Sequence, residues 1–514
     1  MLLNFTPFFG NLFRINSVLN TRPIRNEGLT TPFTNLSYSI IEFLDKSCNS
    51  PAAIFAFEEG KFLNDDFELE KVIVLFRHGD RGPLRPVAGK SKIDCRLSRL
   101  SYDEDKTNKF LRYAKTFYGG VLDRSYEEII GTADFYDFPV SSKCKLGMLT
   151  KVGAAQLIKL GEQLSQVYCK SLGINENNLR HKVRVNVTPY PRTFQSALSF
   201  LFGFTSSMNI DLSLDSPKFI FAKEHGYFCG LNKNSREDYC HQKCGSKYEN
   251  LKNQTTLSKL FDKKEVENIN ILRRKLRKYF VHNKEDERHY TNNRHILDAI
   301  NMYYCHGKAF PFSFSNNDAE KFFENIKKII KVTRTSENFQ KSSLIVMYAF
   351  INEIFDSILS NNPSKSQVKL ELFSGHDITL EALNAILNFS NDFEIPPYSS
   401  RLVMEIYIKK NRKYIKFIYN GNDVTSMVNK AMYRNKIVNE FIAPIGVEES
   451  HFDLIEVSKI EKYILLLYKY YFNSLDFRFI CHGVVNDNIL DISNKQKLGT
   501  NEPEPDQNDD LDSR

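Results

Sequence analysis

The sequence predicts an α/β domain on a mixed sheet, interrupted by a mostly α-helical insertion, and three observations carry that reading. First, three remote segments share one plan, in which an apolar, β-rich run ends in polar residues that open a helix. They are Phe76 into Arg77-His78, Val187 into Arg192, and Phe373 into His376-Asp377. Second, strand signals thin out between about 211 and 367, helical stretches take over, and the sheet pattern resumes at 368–374. Third, 401–408 and 413–419 flank Lys410-Asn411-Arg412 as a hairpin.

At 514 residues the chain is too long for one simple core. The expected division is an irregular segment over 1–65, an α/β core from 66–210 and 366–495, an α-rich cap over 211–365, and a disordered acidic tail over 496–514. A short helix is expected at 38–44. Residues 71–76, apolar and β-branched, suit a strand buried on both faces. From 90 to 136 the chain is polar and irregular, an excursion over one face. Thr150 is a natural N-cap for a helix to about 171, with Ala154, Leu157, Ile158, Gly161, Leu164 and Tyr168 on one side and Gly173 ending it. A strand over 182–188 leads through Pro189-Tyr190-Pro191 into a helix that buries Phe194, Ala197, Leu198 and Leu201. The insertion holds helices near 266–279, 318–332 and 342–359. After the strand at 368–374, a turn at Gly375-His376-Asp377 opens a helix from 378 to about 388, and a last helix covers 452–471. No solenoid repeat is present.

Composition narrows the function classes. The formal charge is +8, and six acidic residues against one basic one from 498 to 514 leave the body near +13. A basic body suits an anionic substrate or a polyanionic glycan. Arg273-Arg274-Lys275-Leu276-Arg277-Lys278 is a basic helical face, by default solvated. There is no Gly-rich nucleotide loop, no Ser-centred elbow and no nucleic-acid motif, so no nucleic-acid partner and no cofactor are expected. Cys229, Cys240, His241 and Cys244 fit no common zinc spacing, so a disulfide rather than a metal is expected there. Nine cysteines leave one thiol over in any full pairing. Sequons at Asn4, Asn35, Asn186, Asn253 and Asn388 favour the secretory pathway, with Asn186 inside a strand and so unused. No apolar run reaches the roughly 18 residues of a membrane span, and residues 1–13 form neither a convincing signal nor an anchor.

The centre of the chain is Arg77-His78-Gly79-Asp80-Arg81-Gly82-Pro83. Two guanidiniums flank one imidazole where a buried strand stops, and the glycines let backbone approach a ligand. Arginine forks match phosphate oxygens, and a neutral imidazole can attack phosphorus and carry the group. In an open α/β sheet, ligands sit beyond the carboxyl ends of strands, at helix N-termini that favour anions. Gathering Arg77, Arg81, Arg192, His78, His376 and Asp377 there makes a metal-free phosphomonoester site. His78 attacks, and Asp377 protonates the departing alcohol. Read singly, Arg192 is a surface ion-pair residue, Asp377 an N-cap and His376 a core histidine; their shared position at strand ends outweighs those readings.

These residues resemble the histidine acid phosphatases, the larger branch (clade 2) of the histidine phosphatase superfamily. The resemblance implies a phosphoglycerate mutase-like three-layer core with a central mixed sheet and an inserted α-helical cap. It also implies hydrolysis through a phosphohistidine on His78, a phosphate-binding set of Arg77, Arg81, Arg192 and His376, and Asp377 as proton donor. Flanking stretches, among them Leu146-Gly147-Met148-Leu149-Thr150, Arg192-Thr193-Phe194-Gln195-Ser196 and Tyr419-Asn420-Gly421, resemble the subgroup that dephosphorylates xylose in the proteoglycan linkage region. That likeness implies a phosphorylated sugar or glycan as substrate and the Golgi lumen as compartment, with lysosomal or secreted locations as alternatives. A broad acid phosphatase, a phytase-like inositol phosphate phosphatase, and an inactive phospho-glycan binding protein are the competing functions.

Overall fold

The computed structural model describes residues 36–482, except 62, 88–92, 94, 96–99, 121–143, 207, 209–216, 223–226, 230–243, 282–289, 291, 307–315, 361–366, 392–394 and 435–453. The segment 496–514, expected to be disordered, lies outside the described residues. The strands are β1 (Glu68–Arg77), β2 (Val183–Val187), β3 (Lys218–Phe221), β4 (Leu370–Gly375), β5 (Arg401–Lys409), β6 (Arg412–Tyr419), β7 (Asn422–Asp423) and β8 (Ile455–Glu456). The helices of six residues or more are α1 (Tyr38–Cys48), α2 (Glu104–Gly120), α3 (Lys151–Ser171), α4 (Pro191–Phe204), α5 (Gly245–Asn253), α6 (Lys263–Arg277) and α7 (Asn293–His306). After these come α8 (Asn316–Thr335), α9 (Glu337–Leu359), α10 (Asp377–Leu387), α11 (Thr425–Arg434), α12 (Val457–Phe472) and α13 (Phe477–His482).

The strands form one mixed sheet in the order β3-β2-β4-β1-β5-β6-β7, with β8 on β6. The four strands β3, β2, β4 and β1 run parallel, whereas β5 and β6 are antiparallel to their neighbours. Side chains alternate across the pleat. Val72, Val74 and Phe76 face the layer of α3 and α4, where Leu157, Leu164, Phe200 and Leu201 pack. Ile73 and Leu75 face the other layer, with α9, α10 and α12 contributing Ile351, Ile354, Leu383 and Ile464. The result is the expected three-layer α/β core. A third cluster joins α1, α6, α7 and α8 through Phe43, Leu44, Leu276, Ile296, Ile300, Phe323 and Ile330.

Most elements fall where the sequence puts them. Thr150 caps α3, its hydroxyl accepting from Gly153 N at 3.0 Å. Asn186, the sequon discounted above, is buried in β2 and its amide donates to Glu371 and to the Leu372 carbonyl. Several elements were not expected, among them α7, α11 and the following three. β3 is a four-residue edge strand in a stretch where strand signals are thin, held by Phe219 and Phe221 against Phe194. α2 lies in the stretch read as irregular, because its polar sequence hides the few buried positions (Thr107, Phe110 and Ala114) that dock it. A further short helix, α13, follows α12 and is tied to α5 by the Cys244–Cys481 disulfide. Disulfides also join Cys48 to Cys305 and Cys95 to Cys144; Cys229 is disulfide-bonded too, and Cys169 is the free thiol among the described residues. α9 is the one helix among the described residues long and apolar enough to cross a membrane by length and composition, but here it is a core helix, with Leu344, Met347, Phe350 and Ile358 packed in the second layer, consistent with the expectation of no clear span.

Candidate active site

Three parallel strand ends lie side by side and bring the remote motifs together. In the β1–β4 register Arg77 pairs with Gly375, and His78 N donates to the Gly375 carbonyl at 2.9 Å. In the β2–β4 register Val187 pairs with Ser374, and Thr188 N donates to the Ser374 carbonyl at 3.3 Å. Arg192 follows Pro191 at the first turn of α4, where a proline suits a helix start that needs no amide donor. His376 is the N-cap of α10 and Asp377 its first residue.

All six expected residues meet. The rings of His78 and His376 are 5.4 Å apart edge-to-face. Arg192 Nη2 lies 3.4 Å from His376 Nδ1, and Arg77 Nη2 lies 3.5 Å from Asp377 Oδ2. Among the described residues, the Nε–H groups of Arg77, Arg81 and Arg192 are buried and find no acceptor. Leaving a buried donor unmet costs about 1–3 kcal/mol, and three guanidiniums around one point leave such donors for a tetrahedral oxyanion to satisfy.

The backbone beneath is fixed from behind. Gly79 N donates to Ser196 Oγ at 3.1 Å and Asp80 N to Gln156 Oε1 at 2.7 Å. Gly79 lies so close to the first turn of α3 that an added Cβ would collide with the backbone of Gly153, and this contact is what the glycine serves.

Tautomers follow from the partners. His78 Nδ1 is 2.8 Å from the Gly79 carbonyl, which can only accept, so Nδ1 carries the hydrogen and Nε2 keeps its lone pair. Burial, then the positive charges of Arg192 and Arg77, hold the His78 pKa well below the usual histidine range, and the same causes, with Arg192 the first charge, do so for His376. Both rings are therefore neutral near pH 7. Thr188 Oγ1 donates to Thr193 Oγ1 at 3.0 Å and so accepts from His376 Nε2 at 2.9 Å. Burial alone would raise the Asp377 pKa, but Arg77, Arg294 and Arg81 outweigh it and hold the carboxyl well below its usual range. Burial and the neighbouring Arg81 draw Arg192 down to about 10.

The site also holds residues that sequence reasoning did not single out. Tyr398 lies under both loop arginines, its ring 4.2 Å from the Arg77 guanidinium and 5.8 Å from that of Arg81. From α7, Asp298 Oδ1 accepts from Arg81 Nη2 at 2.8 Å, and His306 Nε2 lies 2.6 Å from Asp80 Oδ2 with both groups buried. Arg294, also on α7, pairs at 2.7 Å with Glu381, one turn beyond Asp377 on α10. Arg294, Asp298 and His306, four and eight positions apart on a helix with many apolar side chains, were the available signal; no spacing rule says what they face. Among the described residues no cluster of His, Cys, Asp and Glu forms a metal site.

The histidine phosphatase superfamily (branch 2) profile matches residues 68–420. Human 2-phosphoxylose phosphatase 1 is 25% identical over 409 residues, covering 74% of this chain and 75% of the human one. A probable acid phosphatase of Dictyostelium discoideum is 25% identical over 289 residues, covering 54% of this chain and 59% of its own. The phytase from D. castellii aligns with a TM-score of 0.46 at 14% identity, covering 87% of this chain and 88% of that one.

Proposed function

Because this chain belongs to the histidine phosphatase superfamily (branch 2) and is a phosphoric monoester hydrolase, we propose for it a two-step reaction through His78. His78 Nε2 attacks phosphorus in line with the leaving alcohol; the N–P bond forms as the P–O bond breaks. Asp377 gives its proton to the departing oxygen. Water then attacks the phosphohistidine, Asp377 takes a proton from it, the N–P bond breaks, and inorganic phosphate leaves. Arg77, Arg81 and Arg192 hold the transferring group and meet the charge that develops on its oxygens; His376, whose Nε2–H goes to Thr188, joins them when the arriving phosphoryl dianion draws a proton onto its Nδ1. The observation that carries this reading is the set of three buried guanidinium Nε–H donors without acceptors around an imidazole whose Nε2 is free.

The free protein keeps Asp377 ionised, so it serves as an acid only after proton uptake. A bound phosphoryl dianion offsets the guanidinium charge that depresses its pKa and raises it. Proton and substrate therefore bind together, which favours turnover at acidic pH.

For the substrate we propose the 2-phosphate of xylose in the glycosaminoglycan–protein linkage region, handled in the Golgi lumen. The likeness to human 2-phosphoxylose phosphatase 1 over about three quarters of both chains supports it, as does the basic body. Disulfides and sequons fit the secretory pathway. From the stretch 211–365, helices α6, α7 and α8 would act as a cap over the leaving-group side, whereas β3 and α9 belong to the core. A broad acid phosphatase is the second reading, favoured by the Dictyostelium likeness. Turnover of a phosphoxylose-containing linker saccharide, inositol hexakisphosphate and 4-nitrophenyl phosphate, measured side by side, separates these. A linker kcat/KM no higher than that of the generic aryl ester would defeat the xylose assignment.

A further inference from the structure

We infer that Asp298 is the positioning residue that sets the phosphate-facing edge of Arg81, so that helix α7 is a working part of the phosphate site. The proposal rests on the phosphomonoesterase reading above for its kinetic consequences, though not for its geometry. Asp298 engages the loop twice: Oδ1 accepts from Arg81 Nη2 at 2.8 Å, and Oδ2 accepts from Leu84 N at 2.8 Å. One carboxylate thus holds a guanidinium and the main chain three residues beyond it. Arg81 Nη1 donates to the Gly82 carbonyl at 2.9 Å, while its Nε–H is left without an acceptor. The guanidinium is planar, so fixing both Nη atoms fixes where Nε–H points.

The brace is stiff because α7 is anchored on its far side. Ile296, Leu297, Ile300 and Tyr303 are buried among the side chains of α1, α6 and α8. At its C-terminal end, His306 meets Asp80 of the same loop, and the neighbouring Cys305 is bonded to Cys48. The Cys48 carbonyl accepts at 2.7 Å from Gln156 Nε2, and Gln156 Oε1 in turn accepts from Asp80 N. Asp80 is therefore gripped from two directions, and Asp298 adds a third point of control on Arg81. Charge supports the same arrangement: burial would lower the Arg81 pKa, but Asp298 holds it above its ordinary value, so the guanidinium stays charged before substrate arrives.

The test uses the full chain with Asp298→Ala and Asp298→Asn, the latter keeping an acceptor for Leu84 N while losing the charge. Misplacing a group by about 1 Å costs on the order of 10²-fold. Asp298→Ala should lose about that much kcat/KM on 4-nitrophenyl phosphate, mostly in kcat, with Asp298→Asn recovering part. The Ki of vanadate, which mimics the five-coordinate phosphorus, should rise with the loss, and that of inorganic phosphate several-fold less. Wild-type kinetics in both variants would overturn the proposal. So would phosphate and vanadate weakening equally, since that signals a loosened fold rather than a misplaced donor. Should Asp298→Ala fail to fold, Asp298→Asn decides by the same criteria. If the wild-type protein hydrolyses no phosphomonoester, the parent reading fails. Vanadate binding by calorimetry, which needs no turnover, then still tests the brace: equal affinity in wild type and Asp298→Asn refutes it.

Discussion

Asp377→Asn separates the acid from every other role of that position. Asp377 Oδ1 accepts from Ile378 N at 2.9 Å, and an asparagine oxygen can keep that bond. The carboxylate stands 3.5 Å from Arg77 Nη2 and is held ionised by Arg77, Arg294 and Arg81, so losing its charge also lowers the stability of the fold, which Tm reads separately from turnover. Phosphate should bind the variant at least as tightly, because a negative charge has left a site of clustered guanidiniums. Catalysis is another matter. General acid catalysis contributes about 10²–10⁴-fold, or roughly 3–5 kcal/mol of barrier, and a poor leaving group needs all of it. A sugar phosphate, whose alcohol leaves badly, should lose about 10³-fold in kcat/KM; 4-nitrophenyl phosphate, whose phenolate leaves unaided, should lose about 10-fold or less. In the wild type, kcat for the sugar phosphate falls as pH rises through the Asp377 pKa of the complex, and the variant should lack that limb. The assay is phosphate release from both substrates across pH, with phosphate inhibition measured alongside. Equal losses on the two substrates, or an unchanged pH limb, would refute the assignment of the proton.

Other consequences follow from the same geometry. His78→Ala should abolish turnover of either ester while far-UV dichroism stays native; activity near wild type would remove the phosphohistidine step. The depressed Arg192 pKa, about 10 against 12.5, means its charged form strains the fold on the order of 3 kcal/mol at neutral pH. Inorganic phosphate should therefore raise Tm in the wild type, and Arg192→Met should raise Tm without phosphate but respond far less to it; the opposite order would contradict this. Lys71, buried in β1 and donating to the Ser357 carbonyl at 2.7 Å, has its pKa lowered to about 8 by burial first. The folded state then binds this proton more weakly than the unfolded chain, so stability should rise between about pH 8 and 10.5. By pH 9.5 the wild type should gain about 2 kcal/mol relative to Lys71→Met, measured by urea unfolding; a flat difference from pH 7 to 9.5 would refute the burial argument.

How much of this was legible in the sequence depends on whether chemistry or geometry chose the residue. Arg77, His78 and Arg81 were legible because phosphoryl transfer requires a nucleophile among guanidiniums, and a β-branched run fixes where the strand ends. Arg192 and Asp377 were legible because Pro191 and a polar pair after β4 mark helix starts at the same sheet edge. β3 and α2 were not, since a four-residue edge strand and a polar helix with few buried positions leave almost no periodic trace. Asp298 and His306 were illegible for a different reason. Their partners lie 217 and 226 residues away in sequence, and many acids, on many helices, could brace an arginine equally well. A sequence can announce an anion site because few side chains bind phosphate; it cannot announce what steadies that site, because almost any folded neighbour can. The arginines of the proposed phosphate site are thus set by the reaction and their supports by the fold. Substitutions on α7 should accordingly change how well the site works without changing which bond it breaks.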